Sequence, residues 1–103
     1  MKQVAFTMKL IPGNEKEYER RHQEIWPELS QLLKSSGIVS YHIFLDRESG
    51  TLFAFQELTD DAQTAGLSGH PVMKKWWAHM ADIMETNPDF SPKVKKLETV
   101  FTL

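Results

Sequence analysis

Tyr18 and His22 stand four residues apart in a segment whose apolar residues recur at helical spacing. Side chains at that interval share one helix face, one turn apart. Histidine titrates nearest neutral pH, so it can lend and recover a proton there. On the apolar stripe it shares with Tyr18, His22 is either a general acid or base at a helix–sheet interface or a core histidine satisfied by a hydrogen bond. Trp76 and Trp77 are adjacent, hence about 100° apart on a helix, and cannot both face one spot. One can pack while the other lines a cleft, where an indole offers an apolar platform and an N–H donor suited to a sugar or a flat aromatic ligand. Ordinary core packing is the alternative. Tyr41 falls on the Val39/Ile43 face of a predicted strand, and its hydroxyl needs a partner, structural or substrate.

Other chemistry-bearing residues form no recognised pattern. His22, His42, His70 and His79 lack metal-ligand spacing, HExxH is absent, and no glycine loop is built to cradle phosphate. The chain has no cysteine, which excludes disulfides, thiolate nucleophiles and zinc–thiolate sites. Arg20-Arg21 reads as a solvated helix face, and Lys93, Lys95 and Lys96 as a solvated edge. Twelve Lys+Arg against 14 Asp+Glu give a net charge of -2, which argues against a strongly basic nucleic-acid-binding surface. No apolar run approaches the ~20 residues that cross a bilayer. The segment Met1 to Lys9 lacks the uninterrupted apolar core of a signal peptide, so a cytoplasmic protein is expected.

The positioning elements follow from periodicity. At 103 residues and 41% hydrophobic, the chain is one globular domain, residues 1–103. Val4, Phe6, Met8 and Leu10 alternate as a strand. Asn14 is placed to cap a helix. Tyr18, His22, Ile25, Leu29 and Leu32 then form one amphipathic stripe, interrupted by Pro27, which predicts a kink near Gln23–Trp26 or two helical pieces. Gly37 suits the helix end. Ile38–Leu45 and Thr51–Leu58 read as a hairpin with apolar residues on both faces. Thr59–Leu67 is expected as a short helix. Pro71 starts another helix, carrying Met73, Trp76, Trp77, Met80, Ile83 and Met84. Leu97–Leu103 alternates as a last strand. The order βαββαβ is the ferredoxin-like α+β pattern, a four-stranded antiparallel sheet with helices on one face. The uncovered, partly apolar face predicts a homodimer, two sheets packed into a dimeric α/β barrel.

The run Glu17-Tyr18-Glu19-Arg20-Arg21-His22, followed by Ile25-Trp26-Pro27-Glu28-Leu29, resembles the L-rhamnose mutarotase family. So do Tyr41 with Leu45-Asp46, Trp76-Trp77-x-x-Met80-x-Asp82-x-Met84, and Asn87-Pro88-Asp89-x-Ser91-Pro92. The resemblance runs end to end. It implies a cytoplasmic, cofactor-free, dimeric α/β barrel that exchanges the anomers of L-rhamnose. It also implies that His22 is the proton donor and that Tyr18, Tyr41, Trp76 and Trp77 bind the sugar. The chain departs from the family pattern in Asp61–Gly66, which lacks a tryptophan, and at His79, where tyrosine is usual. In the implied reaction, protonated His22 donates to ring oxygen O5; the group that takes the O1 proton stays open. Two other functions fit the architecture: a cofactor-free monooxygenase and a non-catalytic sugar-binding module. Fold alone does not choose among them; the Tyr18/His22/Trp76-Trp77 combination favours the isomerase.

Overall fold

The computed structural model describes residues 1–103. Alternation in the first segment builds strand β1 (Lys2–Lys9), with Met8 buried on the helical side of the sheet. The amphipathic stripe forms two pieces, α1 (Glu15–Gln23) and α2 (Pro27–Ser35). Pro27 is the cause. It opens α2 at its first turn, and Trp26 before it is extended, at φ -62° and ψ 131°. Asn14 precedes α1 without capping it; its amide donates instead to the carbonyl of Ile11 at 2.9 Å.

Strands β2 (Ile38–Asp46) and β3 (Thr51–Leu58) form the hairpin, and β3 pairs in turn with β1. A short β4 (Lys95–Leu97) pairs with Ala5–Thr7 on the other edge of β1. The sheet order β2-β3-β1-β4, all antiparallel, is that of the ferredoxin-like α+β fold. Helix α3 (Pro71–Met80) has Pro71 at its first turn, and the His70 ring accepts the Val72 amide at 3.2 Å as its cap. The core between helices and sheet contains Met8, Leu10, Leu29, Leu52, Ala54, Met80, Ile83 and Met84, closed by Tyr18 and Trp76.

Besides the Asn14 cap, four expectations are corrected. First, Thr59–Leu67 is not a helix; only a 3₁₀ turn forms, at Leu67–Gly69. Its backbone is engaged elsewhere: the Thr59 amide donates to Gly37 at 2.9 Å and that of Gln63 to Ser36 at 2.7 Å. Gly37, at φ +106°, makes this possible, since a Cβ there would lie 2.6 Å from the Ala62 Cβ. Second, α3 ends at Met80. Ile83 and Met84 are buried beyond it, where the Ile11 amide donates to the Ile83 carbonyl at 2.9 Å and Leu10 bridges Met84.

Third, the last strand stops at Leu97 instead of running to Leu103. Past Leu97 the chain leaves β1, and its apolar side chains find no cover: Val100 is 91% and Phe101 73% exposed. Fourth, β2 carries a register shift between Ile38 and Ser40. One extra residue opposes β3 there, so Ile38 is buried while Val39 is 54% exposed. Tyr41 therefore shares the inner face with Ile38, Ile43 and Leu45, not with Val39.

Candidate active site

A cavity of about 800 Å³ lies between the helices and the β2 side of the sheet. Its wall is mainly apolar, including Ile25, Leu29, Leu33, Ile43 and Met73. Tyr18 and His22 from α1, Tyr41 from β2 and Trp76 from α3 all line it. Three elements thus bring together four of the five residues singled out in the sequence. Trp77 packs against the core from a partly exposed position and does not line the cavity. Polar groups stand around it as well, among them Glu15, Glu19, Gln23 and Arg47.

Helix geometry fixes the histidine. Its ring stacks on Tyr18, centroids 4.2 Å apart, and meets Trp76 edge to face at 5.4 Å. Nδ1 lies 3.0 Å from the Tyr18 carbonyl oxygen. A carbonyl only accepts, so in this contact Nδ1 carries the proton, and in the neutral ring Nε2 holds the lone pair. No protein group bonds Nε2, and it is not sealed from solvent. Burial pushes the His22 pKa below the ordinary histidine value, and the Tyr18 carbonyl offsets that in part. These directions favour the neutral ring at neutral pH, with Nε2 as its basic atom.

The two phenols are held neutral as well. Burial raises the pKa of Tyr18, and the neighbouring Tyr41 adds to the shift. Burial pushes Tyr41 up to about 12, with the nearby Gln56 side chain acting the other way. Gln56 faces Tyr41 across the β2–β3 ladder. Neutral phenols both donate and accept, which suits them to sugar hydroxyls. No three His, Asp or Glu side chains converge on a position that would hold a metal ion.

An L-rhamnose mutarotase family model matches residues 3–103. The chain belongs to this family. An L-rhamnose mutarotase of Flavobacterium johnsoniae is 58% identical over 96% of this chain and 92% of its own length. One of Rhizobium leguminosarum bv. trifolii is 59% identical over 94% and 92%. The crystal structure of the L-rhamnose mutarotase of Formosa agariphila superposes with a TM-score of 0.93 at 48% identity, covering 100% of this chain and 99% of that one.

Two residues beside the site hold places that spacing along the chain does not show. Gln56 looked like an ordinary strand residue; only the register reveals its place opposite Tyr41. Arg20 and Arg21 were read together as solvated. Arg20 is exposed, pairing with Glu17 and Glu24. The Arg21 side chain is only 11% exposed and reaches Asp82 on the segment after α3. Its position next to His22, four residues after Glu17, is the signal that could have separated it from Arg20.

Proposed function

We propose that this chain, as a single domain, is an L-rhamnose mutarotase: it interconverts the α and β anomers of L-rhamnopyranose. The observation that carries this reading is an imidazole whose Nε2 bonds no protein group, set between Tyr18 and Trp76 on an apolar cavity that Tyr41 also lines. Nε2 takes the O1 hydroxyl proton as the O1 lone pair forms the carbonyl and the C1–O5 bond breaks. The imidazolium then delivers that proton to O5. Both oxygens are bonded to C1, so one nitrogen serves both. Rotation about C1–C2 presents the other carbonyl face. O5 attacks C1 as its proton returns to Nε2, and O1 takes it back. No atom is gained or lost, and no redox step occurs. Tyr18 and Tyr41 hold sugar hydroxyls while the Trp76 ring packs against the sugar body.

The chain acts as a homodimer. Phe44 is 64% exposed on the sheet face away from the helices, where Phe53 and Phe55 of β3 accompany it. Only 13 of 103 residues are buried in the single chain, a small core for this length. A second copy on this face would cover it and offer shelter to the apolar segment after β4. Analytical ultracentrifugation tests this: a dimer is expected, and a monomer at micromolar concentration refutes it. We place the enzyme in the cytoplasm, as the family resemblance implies. Magnetisation transfer between the anomeric protons of L-rhamnose tests the activity. Exchange above the uncatalysed rate is expected; sugar binding without faster exchange would favour a binding module, and oxygen uptake a monooxygenase.

A further inference from the structure

We infer that Arg21 is a positioning residue for the sugar site, acting through a fork that ties the last turn of α1 to the end of α3. The inference rests on the mutarotase reading. Arg21 directly precedes His22, so it projects about 100° around α1 from the cavity-facing ring. One guanidinium nitrogen donates to the His79 carbonyl at 2.8 Å and to Asp82 Oδ1 at 2.8 Å. The other terminal nitrogen reaches Asp82 Oδ2 at 3.2 Å, and Nε donates to Glu17 Oε2 at 2.7 Å. Glu17 lies one turn back on α1 and braces the fork from behind.

The His79 carbonyl belongs to the last turn of α3, where carbonyls lack partners within the helix and a cation is favoured. Trp76 sits three residues before it. The tie is thus anchored one residue from the base and one turn from the aromatic wall. The two sides meet in the edge-to-face contact of His22 with Trp76. The Asp82 side chain is largely open to solvent. The Arg21 side chain is only 11% exposed, so the fork is held from its buried side and its open end closes on Asp82. A planar fork with bidentate contacts fixes direction in a way that the point charge of lysine cannot.

The test uses Arg21→Lys and Asp82→Ala in the full chain, with Asp82→Asn as a gentler variant that keeps one oxygen acceptor. The first readout needs no sugar. The His22 ring-proton shifts, set by the Tyr18 and Trp76 rings, should move in Arg21→Lys and Asp82→Ala, while those of His42 on the far sheet face stay put. The second is the exchange rate: kcat should fall ~10-fold or more, because small misplacements of a catalytic group are costly, with KM moving less. Asp82→Asn should fall between Asp82→Ala and wild type. Folded variants with wild-type His22 shifts and wild-type kcat overturn the inference. If the wild-type protein shows no anomer exchange, the mutarotase reading fails, and the His22 shifts alone then decide whether Arg21 sets the ring.

Discussion

His22→Asn separates proton chemistry from packing. Asparagine can still donate to the Tyr18 carbonyl, but it cannot titrate. The variant loses the 4.2 Å stack on Tyr18 and the 5.4 Å contact with Trp76. Each such pair is worth about 0.5–1.5 kcal/mol, so the stability cost is about 1–3 kcal/mol. Against a typical stability of about 5–15 kcal/mol, the protein stays folded. Loss of a positioned acid–base group costs ~10²–10⁴-fold in rate, far more than a small unfolded fraction could produce. Magnetisation transfer between the anomeric protons of L-rhamnose measures this, with circular dichroism confirming the fold. Near wild-type exchange in folded His22→Asn would refute the reasoning and leave His22 a packed core residue. The wild-type pH profile adds a signed check. The neutral ring is the working form, so exchange should hold through neutral pH and fall only below the ordinary histidine pKa of 6.5, because burial lowers it. Stability follows the same direction. Below 6.5 the unfolded chain binds a proton that the folded ring resists, so stability is lost as pH falls through the folded pKa. His22→Asn should lack that loss.

Other outcomes are expected elsewhere in the molecule. L-rhamnose should change the intrinsic fluorescence of wild type and of Trp77→Phe but not of Trp76→Phe, since only Trp76 lines the cavity; the reverse pattern would move the sugar to the other ring. Gly37→Ala meets both a left-handed backbone and the Ala62 side chain, and should cost roughly 2–4 kcal/mol. A thermal melt within error of wild type would contradict that. Phe90 is the one non-glycine residue at positive φ, 71°. Phe90→Asn should raise stability by up to about 1 kcal/mol, read as a higher Tm; a fall would mean that the ring makes contacts outweighing the backbone strain.

What the sequence disclosed is what depends on neighbours along the chain. The Tyr18–His22 pair, the break at Pro27 and the start of α3 at Pro71 are all local, and the structure has each of them. Trp76 and Trp77 were indistinguishable by type; only the direction in which α3 packs selects Trp76 for the cavity. The register shift near Val39 left no mark in a segment apolar on both faces, so Ile38 and Val39 exchanged sides. Thr59–Leu67 carried helix-start residues, but hydrogen bonds to Ser36 and Gly37 claimed its backbone first. The alternation after Leu97 was real, yet a pattern cannot say which strand edge will receive it.

The ring that stacks on His22 and the carbonyl that fixes its tautomer both belong to Tyr18, one helical turn away. Much of the cavity wall comes from β2 and α3, farther along the chain. In the mechanism proposed here, the machinery that moves protons and the surfaces that choose a sugar are therefore inherited separately. Exchanges at Tyr41, Met73 or Leu33 could retune which hydroxyl pattern is accepted and leave the base untouched. The same five-residue Tyr-x-x-x-His turn, set on another helix beside a cavity of different shape, would carry its tautomer with it and would need a new anchor in place of the Arg21 fork.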